Sequence, residues 1–143
     1  MKPTVILHEM EIVNRPQIKE LNIKGDTQNP TIILNKESNY FEFSGISIPD
    51  DAESFYASAI RWLEVYKELP NESTDVIFKM DFISPDSSKM ITRVFEILQS
   101  IHYKNKEVSV KWYYNIDDED IRSEGRDYSN IISFPFELIN YKN

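Results

Sequence analysis

The run Ser84-Pro85-Asp86-Ser87-Ser88-Lys89 is the most informative group of side chains in the sequence. Ser84 followed by Pro85 is typical of a helix N-terminus, because the hydroxyl caps free N–H groups and proline lacks the donor that would be unpaired there. A phosphate at such a helix start would be stabilised by the helix dipole and would add about −1.5 to −2 charges that a partner could recognise. The run therefore predicts a helix start that is either structural only or a phosphorylation switch.

Side chains and motifs typical of enzyme active sites are scarce in the sequence. The imidazoles are His8 and His102, and the absence of cysteine excludes disulfides, thiolate zinc sites and thiol nucleophiles. His102 falls near the end of a predicted helix, where its ordinary role is to interact with the last carbonyls. No glycine-rich phosphate loop, HExxH or GxSxG motif is present. We therefore expect no catalytic residue, no metal site and no cofactor.

The densest charged feature is Asp117-Asp118-Glu119-Asp120. The glycine that an EF-hand loop requires is missing, so the run favours a solvated helix start, where acidic side chains complement the dipole, over a calcium site. A different hypothesis is an acid-dependent hydrolase that uses carboxylates such as Asp117, Asp120 and Glu124. It requires a deep pocket that contains at least two of these groups with raised or mutually shifted pKa values.

Composition limits the class of protein further. The chain has 143 residues, of which 41% are hydrophobic, and its 16 basic and 24 acidic side chains give a net charge of −8. These values indicate one folded domain and argue against a general nucleic-acid binder. No run approaches the ~18 apolar residues of a membrane span, and the N-terminus lacks the apolar core of a secretory signal. We expect a cytoplasmic protein that binds no nucleic acid and does not insert into a membrane.

The elements that position these residues alternate along the chain. Residues 1–28 are predicted to form an N-terminal extension, possibly with an added strand, and residues 29–143 the α/β domain. Val76, Phe78, Met80 and Phe82 alternate with their neighbours, which predicts a strand with at least one buried face. A hairpin is predicted at 31–34 and 40–43, helices at 51–67, 86–103 and, more weakly, 117–128, and further strands at 108–114 and 131–138. Right-handed crossovers then give a sandwich of four or five strands in a mostly parallel or mixed sheet, with helices mainly on one face.

Several short motifs stand in a specific order and spacing between residues 31 and 139. They are Phe43 to Ala52, Phe55-Tyr56, Trp62, Ser87-Ser88-Lys89, Val110 to Tyr114, Asp117 to Asp120, Glu124-Gly125, Asp127-Tyr128 and Pro135-Phe136. Together these segments resemble the SiaC family of bacterial regulatory phosphoproteins.

The resemblance implies a single domain similar to STAS domains and anti-sigma-factor antagonists, without catalytic activity of its own. It also implies reversible phosphorylation at the start of the second helix by a Ser/Thr kinase and a phosphatase. By the same resemblance, the unphosphorylated form binds and activates a diguanylate cyclase, which would link this chain to cyclic di-GMP and biofilm formation.

The sequence departs from the family at the switch itself. The family pattern reads roughly Asn-Thr-Ser-Ser-x-Lys with threonine as the acceptor, and the ungapped match places Pro85 at that threonine. Either a neighbouring hydroxyl accepts the phosphate, or the chain is a constitutive scaffold without a switch. The Asp-Ser-Ser helix start of STAS antagonists favours Ser87 as the acceptor. The candidate acceptors are, in order, Ser87, Ser84 and Ser88, and the neighbouring switch residues are Pro85, Asp86 and Lys89.

Overall fold

The computed structural model describes residues 18–143, so that His8 and the rest of residues 1–17 lie outside it. Within the described residues the chain forms six strands and three helices. In chain order these are β1 Leu21–Ile23, β2 Thr31–Asn35, β3 Tyr40–Ser47, α1 Ala52–Tyr66, β4 Ser73–Ile83, α2 Pro85–His102, β5 Glu107–Asn115, α3 Glu119–Ser129 and β6 Phe136–Tyr141.

The strands lie in the sheet in the same order as in the chain, from β1 to β6. The pairs β1–β2 and β2–β3 are antiparallel, and the pairs from β3 to β6 are parallel. Each parallel pair is connected through a helix, and right-handed crossovers that advance in one direction place their helices on one face. The predicted α/β class with a mixed sheet is confirmed, whereas the prediction of four or five strands is wrong.

The first and last strands of the sheet bear on two predictions. β1 has three residues and lies within residues 1–28 as an edge strand on β2, in the segment for which the sequence leaves an added strand open. The last strand begins at Phe136 rather than near residue 131, because Phe136 is the first β6 residue in register with β5, opposite Val110. Residues 131–135 form the connection between α3 and this strand.

A row of aromatic side chains forms the centre of the core between the sheet and the helices. Phe43, Phe78 and Trp112 are in register on β3, β4 and β5. Their ring centroids are 4.8 Å apart between Phe43 and Phe78 and 5.5 Å apart between Phe78 and Trp112. Phe95 of α2 covers the middle of the row, 5.0 Å from Phe78. Burial of such rings, each worth about 1.5–3 kcal/mol, fixes α2 and β4 relative to each other.

All three helices begin at the edge of the sheet where the parallel strands end. Each is capped by a side chain that accepts from the backbone N–H three residues further on: Asp51 for α1, Ser84 for α2 and Asp118 for α3. The helices begin and end within two residues of the predicted positions. Among residues 18–143, no helix combines the length and the apolar character needed to cross a membrane.

Candidate functional site

The predicted site lies where β4 ends and α2 begins. Ser84 follows the last residue of β4, and α2 starts at Pro85, as the Ser-Pro pair predicts. The Ser84 N–H donates to the carbonyl of Ser47, the last residue of β3, at 2.9 Å. The start of α2 is therefore joined to the end of the neighbouring parallel strand. The carboxyl edge of such strands is where open α/β sheets place their binding sites.

A chain of hydroxyls leads from the start of α2 into the core. The Ser84 hydroxyl donates to Ser87 Oγ at 2.9 Å, and the Ser47 hydroxyl donates to Ser87 Oγ at 2.8 Å. The Tyr56 hydroxyl lies 2.7 Å from Ser47 Oγ. We call these four residues the hydroxyl chain. Ser47, Tyr56 and Ser87 are fully buried, and burial raises the pKa of Tyr56 to about 12, so that it remains neutral. The hydroxyl chain connects α1, β3 and α2.

Ser88 makes a separate connection, to α3. Its hydroxyl lies 2.5 Å from the Tyr128 hydroxyl, and Tyr128 donates to Glu124 Oε2 at 2.9 Å. Because the Tyr128 proton points to Glu124, Ser88 is the donor in the bond that it shares with Tyr128. Burial raises the pKa values of both Glu124 and Tyr128 above their ordinary values. We call Ser88, Tyr128 and Glu124 the α2–α3 contact.

The structure distinguishes the three candidate acceptors. Ser87 is fully buried, so a kinase cannot reach its hydroxyl in this conformation, whereas Ser84 and Ser88 are half-buried. Asp86 and Lys89 lie 3.8 Å apart with side chains that are 80% and 76% exposed, so this ion pair contributes little stability. The identity of the acceptor stays a prediction, but burial moves Ser84 and Ser88 ahead of Ser87.

Of the three carboxylates of the hydrolase hypothesis, two share a recess, and that recess is open rather than deep. Asp117 and Asp120 line an open recess at the end of β5 together with Asp81 and Asp118, whereas Glu124 is bound to Tyr128 in the α2–α3 contact. Across residues 18–143, no three His, Asp or Glu side chains are grouped closely enough to hold a metal ion. The acidic run begins α3, with Asp118 as its cap, as the solvated-helix interpretation predicts.

Two exposed apolar residues next to the site were missed by the sequence analysis. Phe82 at the end of β4 is 53% exposed and Ile116 just after β5 is 50% exposed. Phe82 was grouped with Phe78 by the alternation, but the register between β3 and β4 shifts after Gly45 and pairs Phe82 with Ile46. The extra residue turns Phe82 away from the helices. Large apolar side chains exposed at a helix start are typical of a protein contact.

The fold and the site define a small mixed α/β domain whose distinctive feature is a hydroxyl-rich helix start beside exposed apolar side chains. The chain belongs to the SiaC family of regulatory phosphoproteins, because the model of that family matches residues 23–141. The resemblance carried by the sequence motifs is thereby confirmed.

Solved structures from Pseudomonas aeruginosa share the fold. SiaC superposes with a TM-score of 0.79 at 19% identity, covering 86% of this chain and 99% of that chain. A chain in the crystal structure of diguanylate cyclase SiaD in complex with its activator SiaC gives 0.80 at 20% identity, covering 85% and 99%. Apo-SiaC gives 0.78 at 20% identity, covering 85% and 98%. At these identities the likeness establishes the fold alone.

A curated relative, also from Pseudomonas aeruginosa, has a name that states no function. An uncharacterised protein of Pseudomonas aeruginosa is 20% identical over 121 residues, which are 85% of this chain and 96% of the relative. The chain therefore spans nearly the whole length of this relative.

Proposed function

We propose that this chain is a non-enzymatic regulator that binds and activates a diguanylate cyclase, and that phosphorylation at the start of α2 weakens or redirects the binding. The family match supports a regulatory role. The likeness to a chain in the complex of SiaD with its activator SiaC supports a cyclase as the partner. The observation that carries the proposal is the hydroxyl-rich start of α2, where Ser84 and Ser88 are half-buried, at the carboxyl edge of the sheet near the exposed Phe82.

The partner surface that we propose surrounds this helix start. Phe82 lies near the end of β4 and Ile116 just after the neighbouring strand β5, and each leaves about half of its surface uncovered. Burying them against a partner would contribute binding energy, because roughly 25 cal/mol is gained per Å² of apolar surface removed from water. A phosphate at Ser84 or Ser88 would introduce a strongly hydrated anion beside that apolar contact, which explains how phosphorylation would weaken it.

The partners that complete the proposed switch are a Ser/Thr kinase and a phosphatase. Both are implied by membership of a phosphoprotein family, and the output would be cyclic di-GMP and, through it, biofilm formation. The place of action in this proposal is the cytoplasm, where nucleoside triphosphates are available to both a kinase and a cyclase.

A reconstituted assay tests the partner. The purified chain is added to each diguanylate cyclase of its own organism, and binding is measured by calorimetry while cyclic di-GMP is quantified by chromatography. We expect one cyclase to bind the unphosphorylated chain and to synthesise cyclic di-GMP faster in its presence. If no cyclase binds or responds, the proposed partner is wrong.

A second candidate is a constitutive activator of the same fold without a switch. The observation that favours it is Pro85, which occupies the position of the family threonine and cannot accept phosphate. Incubation with the partner kinase and ATP, followed by mapping of phosphate by mass spectrometry, separates the two candidates. Phosphate within residues 84–88 supports the switch, and its absence from a chain that still activates the cyclase supports the constitutive activator.

A further inference from the structure

The three serines at the start of α2 differ in what their hydroxyls already do. Ser87 accepts from Ser47 and Ser84 and donates to the Ser47 carbonyl at 3.2 Å, so its hydrogen-bonding capacity is used inside the core. The Ser84 oxygen faces the same hydroxyl chain and also caps α2 by accepting from the Ser87 N–H at 3.2 Å. Modifying either residue would disrupt the start of α2 itself. Ser88 lies outside the hydroxyl chain, and within residues 18–143 its hydroxyl bonds to Tyr128 of the neighbouring helix.

A phosphate on Ser88 would meet a carboxylate. The Tyr128 hydroxyl is hydrogen-bonded to both residues: it lies 2.5 Å from the Ser88 hydroxyl and 2.9 Å from Glu124 Oε2. Phosphorylation removes the hydroxyl proton that Ser88 donates in its hydrogen bond to Tyr128. It puts in its place an anion that faces Glu124. Lys89, the next residue, extends into solvent beside Asp86 and does not separate the two anions. Like charges in a half-buried setting repel strongly, because water screens them poorly there.

Of the two helices, α3 is held by fewer buried residues, so it is the one that we expect to move. A phosphate on Ser88 is in the first turn of α2, where the helix dipole stabilises it. α2 has 18 residues and seven of them are buried, whereas α3 has 11 residues, of which only Ile121, Gly125 and Tyr128 are buried. The first turn of α3 is held by the Trp112 indole, which donates to the Ile121 carbonyl at 2.9 Å. Its last turn depends on Tyr128, and this is the residue that the phosphate would displace.

We propose that Ser88 is the phosphoacceptor of this chain, and that its phosphorylation releases the last turn of α3 by breaking the α2–α3 contact. The inference rests on the proposed function, since it names the acceptor and the moving element of that switch. In the transfer, Ser88 Oγ forms a bond to the γ-phosphorus of ATP held by a protein kinase. The bond from that phosphorus to the β,γ-bridging oxygen breaks, ADP leaves, and the serine proton passes to a base of the kinase.

Genetically encoded incorporation of phosphoserine at position 88 tests whether the last turn of α3 is released, and it does not require the kinase. Amide hydrogen exchange is compared between the unmodified chain, the chain with phosphoserine at 88 and a control with phosphoserine at 38, an exposed position in the turn between β2 and β3. With phosphoserine at 88 we expect residues 124–129 to exchange about tenfold faster, a coupling of ordinary size between two sites. The control should leave these residues unchanged. Equal exchange of residues 124–129 in the unmodified and position-88 proteins would overturn the proposal.

The role of the carboxylate is tested in the same experiment. Glu124→Gln keeps an acceptor for Tyr128 but removes the charge, so it should restore most of the slow exchange when phosphoserine stands at 88. If the faster exchange persists in Glu124→Gln, repulsion is not the cause and the mechanism is wrong.

The acceptor is tested with the kinase of the proposed switch and ATP. Mass spectrometry should find phosphate on Ser88 in the unsubstituted chain and in Ser84→Ala, and none on Ser88→Ala. Phosphate mapped to Ser84 instead would overturn the assignment. Failure of the proposed function is separate, because it is read from the binding of the unphosphorylated chain to a cyclase, which needs neither phosphate nor movement of α3.

Discussion

Tyr56 of α1 and Ser87 of α2 are connected through one buried hydroxyl, that of Ser47. The Ser47 oxygen lies 2.7 Å from the Tyr56 hydroxyl and 2.8 Å from Ser87 Oγ. All three side chains are fully buried, so water cannot replace a lost partner. The end of β3 therefore holds both helices in position at the edge where α2 begins.

Removing the central hydroxyl should destabilise the fold. Ser47→Ala leaves the buried Tyr56 hydroxyl without its partner, and we expect the free energy of unfolding to fall by about 1–3 kcal/mol. Urea denaturation measures the change. Ser38→Ala, at an exposed position in the turn between β2 and β3, is the control and should change stability by less than about 0.5 kcal/mol. Equal stabilities of the two variants would contradict a structural role for the hydroxyl chain.

Gly125 is expected to tolerate no side chain. A Cβ at this position would overlap the Trp112 indole and lie 2.8 Å from Leu138 Cδ2. Gly125→Ala should therefore push α3 away from the sheet and lower the free energy of unfolding by about 1–3 kcal/mol. Denaturation and the fluorescence of Trp112 report the change. Ser123→Ala, on the exposed side of the same helix, is the control; a Gly125→Ala protein as stable as this control would show that α3 packs differently.

Glu124 should make stability depend on pH. Burial raises its pKa in the folded protein above the ordinary value of 4.5, so the folded state binds the proton more tightly than the unfolded state. The resulting stabilisation is complete below the unfolded pKa and is lost as the pH rises through the folded pKa.

We therefore expect Glu124→Gln to gain stability relative to the natural chain as the pH rises from acidic to neutral. Urea denaturation of both proteins across this range measures the difference in free energy of unfolding. Glu137→Gln removes one carboxylate at an exposed position of β6 and serves as the control. A difference between Glu124→Gln and the natural chain that stays constant with pH would mean that Glu124 is not perturbed by burial.

Phe82 is expected to matter for the partner and not for the fold. Its side chain is 53% exposed, so Phe82→Ser should change stability little while weakening cyclase binding by about tenfold or more. Tyr103→Ser is the matched control, because Tyr103 is 72% exposed but follows the opposite end of α2. Calorimetry of both variants against the cyclase measures the effect. Similar affinities for the two would place the contact elsewhere.

The helix starts at the site could be predicted because local rules determine them. A serine before a proline acts through neighbours within four residues, and Ser84 caps its helix as expected. The one-sided α/β arrangement followed in the same way from the alternation of strands and helices.

The arrangement around these starts could not be predicted because it depends on distant residues. Ser47 and Ser87 are 40 positions apart in the chain, as are Ser88 and Tyr128. The motif that made Ser87 the preferred acceptor does not report that its hydroxyl is buried. A one-residue shift between β3 and β4 likewise exposes Phe82, which the alternation placed with the buried residues.

The order of the strands has a consequence for synthesis. Among the strands of residues 18–143, each pairs only with strands adjacent to it in the chain, so every new strand that leaves the ribosome finds its neighbour already made. Of these elements, α3 and β6 emerge last. Until residue 128 has been translated, Ser88 has no Tyr128 to bind, and the part of the fold that we assign to regulation is the last to be completed.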